Sequence, residues 1–85
     1  MLYRIYTEDK PNLNRLAGAY FDGFTLLQGI GYWKGQPEAC AVIEIIAEES
    51  EAKAIYCLAR SIRLTNHQES VLVVSLPVTH KFIID

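Results

Sequence analysis

The sequence predicts an α+β domain, a two-layer sandwich of order β-α-β-β-α-β, on three observations. Four segments rich in Tyr, Ile and Val flank two segments whose apolar residues recur every three or four positions. Gly, Pro and Asn clusters separate these segments. The chain has 85 residues, 51% hydrophobic and 21% charged, which suffices for one modest core and is too apolar for disorder. Residues 1–85 are therefore expected to form a single domain.

Residues 2–7 alternate two sets of side chains and suit a first strand. Glu8-Asp9-Lys10-Pro11-Asn12 follows, with acceptors for orphan N–H groups and a proline tolerated in a first helical turn. Leu13, Leu16, Ala17, Tyr20, Phe21 and Phe24 then mark one stripe of a first helix, which Gly18 weakens and Asp22-Gly23 can stop. Residues 25–33 read as a second strand, in which Gly29 and Gly31 predict a bulge or a close backbone approach.

Lys34-Gly35-Gln36-Pro37 is a turn signal, and residues 38–47 form an Ala-, Val- and Ile-rich third strand, so the two strands make a hairpin. Glu48-Glu49-Ser50-Glu51 suits a helix start, where the dipole favours anions. Ile55, Leu58, Ala59 and Ile62 give the second helix its apolar stripe; Arg60 and Arg63 lie near its end and Asn66 terminates it. Residues 70–75 read as the fourth strand, ending before Pro77. The tail, residues 78–85, is β-prone and able to add an extra C-terminal strand at a sheet edge or to cross to a neighbouring copy. This element order is the split βαβ or ferredoxin-like arrangement, with both helices on one sheet face.

The other face carries a problem. In the third strand Ala39, Ala41, Ile43, Ile45 and Ala47 alternate with Cys40, Val42, Glu44 and Ile46, and in the fourth Val71 and Val73 alternate with Leu72, Val74 and Leu76. Both sides are apolar, so the side without helices needs a cover. Self-association is the expected one, with shielding within one chain by loops or the Phe82-Ile83-Ile84 tail as the alternative. Glu44, alone among apolar neighbours, needs a partner, and Arg4 is the candidate.

Two stretches, Gly23-Phe24-Thr25-Leu26-Leu27-Gln28-Gly29-Ile30-Gly31-Tyr32-Trp33-Lys34-Gly35 and Gln68-Glu69-Ser70-Val71-Leu72-Val73-Val74-Ser75-Leu76-Pro77-Val78, resemble a family of small uncharacterised bacterial domains. The resemblance implies a ferredoxin-like fold shared with the PII signalling and CutA-type proteins, which are commonly trimers. Tyr32-Trp33-Lys34-Gly35 with Glu38 is also similar to the aromatic-rich hairpin of CutA-type proteins, with no metal role carried over.

A formal charge of −2 and a pI near 5.6 give no general attraction to nucleic acid or to an anionic membrane. Cys40 and Cys57 make no disulfide framework and are expected as small core residues in a reducing, cytoplasmic compartment. Cys40, Cys57, His67 and His80 lack metal-ligand spacing, no nucleophile elbow is present, and Gly29-Ile30-Gly31 is too short for a dinucleotide fingerprint. No metal, cofactor or catalytic residue is therefore assigned. Tyr32, Trp33 and Lys34 combine stacking surface with a cation, and Arg4, Arg60 and His80 can add contacts when assembly brings them to a shared cleft.

The resulting expectation is a non-enzymatic, trimeric or dimer-based homo-oligomer. It senses or sequesters a small anionic, nucleotide-like ligand at subunit clefts. Two alternatives stand beside it: a protein-interaction module using the apolar sheet face, and a small cleft enzyme using His80.

Overall fold

The computed structural model describes residues 1–84; Asp85, the end of the expected β-prone tail, lies outside the described residues. Those residues form β1 (Leu2–Glu8), α1 (Leu13–Gly18), β2 (Thr25–Trp33), β3 (Gln36–Ile46), α2 (Ala52–Thr65) and β4 (Leu72–Leu76), with a 3-10 turn at Glu49–Glu51 before α2. The four strands make one antiparallel sheet in the order β2-β3-β1-β4. Because β1 and β2 both run against β3, they are parallel to each other with β3 between them. The same holds for β3 and β4 around β1. One helix joins each parallel pair.

The register sets the core. Tyr3 lies opposite Ile45, Ile5 opposite Ile43 and Thr7 opposite Ala41, and all six are buried. Leu13 and Ala17 of α1 and Ile55, Leu58, Ala59 and Ile62 of α2 pack on that same face. The two helix ends are tied to each other as well. The side-chain amides of Asn12 and Asn66 exchange hydrogen bonds of 3.0 and 3.2 Å, so Asn12 does not cap α1 with its own side chain.

Several elements depart from the sequence reading. The first helix ends at Gly18, short of the expected stripe: Tyr20, Phe21 and Phe24 follow as loop residues, and Phe21 is buried without being helical. Glycine in the last turn makes extension costly. No bulge interrupts β2, whose pairing with β3 is continuous from Thr25↔Glu44 to Trp33↔Gln36. A Cβ at Gly29 or Gly31 would lie 3.7 or 3.8 Å from Cys40 Sγ, ordinary contact, so these glycines keep the surface low rather than relieve a clash.

The hairpin turn is tighter than Lys34 to Pro37. Lys34 (φ 50°) and Gly35 (φ 77°) form a two-residue loop with both φ values positive, the type I′ geometry whose twist matches the strands, and Pro37 sits inside β3. The thiols are not core residues: Cys40 is half-buried and Cys57 is exposed on α2. Residues 77–84 form no regular element.

Both ends of α2 follow the expected chemistry. Glu51 Oε2 accepts the Glu48 N–H at 2.9 Å. At the other end the Gln68 N–H donates to Arg63 O and the His67 N–H to Leu64 O, a paired stop that places His67 at φ 55°. Glycine usually fills that position because a side chain costs energy there.

Three outcomes follow from this packing. Replacing His67 by Gly should raise unfolding stability by about 1 kcal/mol, whereas Ile43→Ala should lower it by about 2–5 kcal/mol; urea denaturation reads both. Burial raises the Tyr3 phenol above its ordinary value of 10.0, with smaller contributions from Tyr56, Glu49 and Glu51. The native state thus holds that proton more tightly than the unfolded chain. Its stabilising share is complete below pH 10 and is lost as pH rises through the raised native value. Tyr3→Phe should accordingly shift alkaline unfolding to higher pH in a denaturation series.

Candidate functional site

β1 stops at Glu8, opposite Cys40, whereas β3 begins at Gln36. Residues 30–33 and 36–39 therefore continue past the body of the sheet as a two-stranded ribbon. The Asp9 N–H donates to Ala39 O at 3.2 Å, and Gln28 Nε2 donates to Asp9 Oδ2 at 3.0 Å, which anchors the ribbon at its base. Tyr32 and Trp33, 72% and 68% exposed, ride on it and point to opposite faces, as successive strand residues must.

A cleft of about 530 Å³ opens where the ribbon leaves the sheet. Tyr6, Tyr32 and Trp33 contribute to its wall, and Gly31 and Cys40 leave room beside them. Its charged residues are Glu8, Glu38 and Glu69; among the described residues no Lys, Arg or His lines it. Lys10 Nζ stands 3.4 Å from Glu8 Oε1 in an exposed pair. Behind the cleft lies the buried Gln68, whose Nε2 donates to Thr7 Oγ1 at 2.7 Å and whose Oε1 accepts the Glu8 N–H at 3.1 Å. This contact ties the loop after α2 to the end of β1.

The residues expected at the site fall into four places. Tyr32 and Trp33 both line the cleft, Trp33 from the face that Tyr6 shares and Tyr32 from the opposite side of the ribbon, and Lys34 sits in the turn with its ammonium 5.8 Å from the Trp33 ring centroid. Arg4 lies in mid-sheet, where its Nε donates to Glu44 Oε2 at 2.9 Å; the Arg4–Glu44 pairing read from the sequence is present. That hydrogen bond is the main cause that raises the Arg4 guanidinium above its ordinary value. Arg60 is exposed on α2, on the helix side of the sheet. His80 stacks edge-on against Phe82, centroids 6.1 Å apart, in the tail beyond Leu76. Leu76 pairs with Leu2, at the opposite end of β1 from Glu8.

Arg4, Arg60 and His80 are thus not gathered around the cleft of one chain. Tyr6, Glu8, Glu38 and Glu69 are the lining residues that sequence reasoning missed, because only the strand register brings them together. Among the described residues no group of three or more His, Cys, Asp or Glu side chains could hold a metal ion. No helix among them is long and apolar enough to cross a membrane.

The sheet face away from the helices presents Leu2, Val42, Ile46, Leu72, Val74 and Leu76 around the Arg4–Glu44 pair. Tyr6 and Leu72 belong both to this face and to the cleft. A second cavity, of about 590 Å³, lies near the far corner of the face. Phe82 of the tail lines it together with Phe21, Phe24 and Ile46.

Compared with known proteins, the chain matches no protein-family model and no curated protein sequence.

The cleft separates two kinds of residue that a stability measurement can tell apart. Gln68→Ala removes a buried amide and leaves the Thr7 hydroxyl and Glu8 N–H without it, which should cost about 1–3 kcal/mol. Trp33→Ala, at an exposed ribbon position, should change stability by no more than about 0.5 kcal/mol. Chemical denaturation of the two variants checks this contrast.

Proposed function

We propose that the chain is a non-enzymatic binding protein with a ferredoxin-like protomer, the class shared by PII and CutA-type proteins, and that it receives a ring-bearing small molecule in the cleft at the base of the ribbon. The strand order, with a helix joining each parallel pair, supports the fold class. The observation that carries the ligand reading is the pairing of Tyr6 and Trp33, which the strand register places on one sheet face, at a cleft of about 530 Å³. That volume is typical of small-molecule sites. Core packing does not account for Tyr32 and Trp33, since both are mostly exposed. Exposed aromatic faces are well suited to stacking on a planar ring.

Charge decides what such a ring carries. Glu8, Glu38 and Glu69 repel an anion, so one protomer suits a neutral or positively charged ring. The anionic, nucleotide-like ligand expected from Lys34, Arg4 and Arg60 requires an assembled site in which a second copy supplies cations. The non-catalytic reading draws support from His80, the residue of the enzyme alternative, which stacks on Phe82 in the tail beyond the far end of β4. Both cysteines are free, in keeping with a reducing, cytoplasmic setting.

Trp33 supplies the test through its own fluorescence. Titration with adenosine and with an aromatic ammonium should quench the emission of the wild-type protein, with adenosine monophosphate binding more weakly. Tyr6→Ala, which keeps the reporter, should cost about 1–3 kcal/mol of binding for the loss of a stacking face. Absence of any response to all three compounds at millimolar concentration would remove the ligand reading.

A further inference from the structure

The geometry points to a second copy of this chain as the cover of the helix-free sheet face, packed face to face about a two-fold axis. The first observation is area. A compact monomer of 9.6 kDa should expose about 5,100 Å², whereas this chain exposes 6237 Å². The excess of about 1,100 Å² is shared among the projecting ribbon, the exposed tail and the helix-free face, and the share of the face is the part that a second copy would cover. The radius of gyration agrees: 13.4 Å, against about 12 Å for a compact chain of this length.

The second observation is where apolar surface lies. On the helix-free face Leu72 is 59% exposed and Ile46 45%, with Leu27 and Leu76 similarly open and Val42 and Val74 half-buried. The chain's own tail does not shield it. Phe82 reaches only the corner near Ile46, and Ile84 is 92% exposed. Sheets bury such faces by stacking about 10 Å apart with aligned strands.

The third observation selects the same chain over a foreign partner. The charges at the centre of the face are Arg4 and Glu44, paired across β1 and β3. A two-fold axis that lies between the two sheets, parallel to the strands and over the midpoint of that pair, sets each guanidinium against the other copy's carboxylate, so every charge keeps a partner when water leaves. A different protein would have to bring a matching pair in the opposite sense. The inference stands independently of the ligand, although Tyr6 and Leu72, shared by face and cleft, would place the second copy at the cleft wall.

Sedimentation equilibrium and native mass spectrometry test the assembly. The wild-type protein should be a dimer, or a closed assembly of dimers, at micromolar concentration. Leu72→Lys and Arg4→Glu should each weaken it at least about tenfold, while the Arg4→Glu/Glu44→Arg double variant should regain wild-type affinity within about threefold, because the swapped pair is again self-complementary. Hydroxyl-radical footprinting of the wild-type protein needs no variant. Leu72 and Leu27 should label more strongly on dilution, and Tyr56 on the helix side should not change. A monomer at millimolar concentration, a trimer, or a dimer indifferent to both Leu72→Lys and Arg4→Glu would overturn the proposal. So would footprinting that does not vary with concentration.

Discussion

Two helices can cover only one face of a four-stranded sheet, and most of this structure follows from that limit. Ile5 and Ile43 sit opposite each other beneath Ile55, Leu58 and Ile62, completely shielded from water. Each such side chain contributes about 1.5–3 kcal/mol relative to an exposed position. Yet β3 and β4 are apolar on both sides. Val42, Ile46, Leu72, Val74 and Leu76 receive no helix, and the same hydrophobic effect that builds the core leaves them with an unmet demand. The Arg4–Glu44 pair fits the same picture. At about one-third exposure it adds little to a lone chain, but it keeps a central pair of charges satisfied when the surrounding apolar surface is covered.

The strands were legible because period-two alternation is a local property. So was the partner of Glu44, since an isolated carboxylate in an apolar strand demands a cation and Arg4 occupies the matching face of β1. The first helix was read too long because spacing alone cannot distinguish a helical stripe from loop residues that happen to share it. Phe21 and Phe24 continue the three-and-four spacing, but they pack against the core from the loop after Gly18. The turn was read too wide for a related reason. Proline usually punctuates a strand, yet Pro37 sits where β3 has no neighbour on its outer side, and there a missing N–H disturbs little. The left-handed stop at His67 carries no glycine to announce it.

The cleft was half legible. Adjacent aromatics beside a Lys-Gly turn mark a hairpin tip from sequence, and Tyr32 and Trp33 are indeed there. The carboxylates come from three separate segments, the end of β1, the start of β3 and the loop before β4, and no spacing in the chain relates Glu8, Glu38 and Glu69. Register and the unequal lengths of β1 and β3 create the cleft, and neither can be read from one strand at a time. Arg60 and His80 were grouped with the aromatics by chemistry, whereas the sheet itself separates Arg60 from the ribbon and β4 carries the tail away from it.

On the two proposals taken together, ligand and assembly would be linked through the ribbon. Two strands with no third neighbour are marginal in water; here the ribbon continues the β2–β3 pairing, is closed by the type I′ turn and is tied at its base by Asp9 and Gln28. Such a segment belongs to the low-stability part of a fold. Its base adjoins Tyr6 and Leu72, which also lie on the face proposed to meet a second copy. A molecule bound between the ribbon and Tyr6 would order the ribbon, and a second copy over Leu72 would hold the same wall in place. Linkage then makes the relation reciprocal. Whatever factor assembly adds to ligand affinity, the ligand must add to assembly. Such coupling would arise from shared residues without a change of fold, because the cleft and the helix-free face are two parts of one surface.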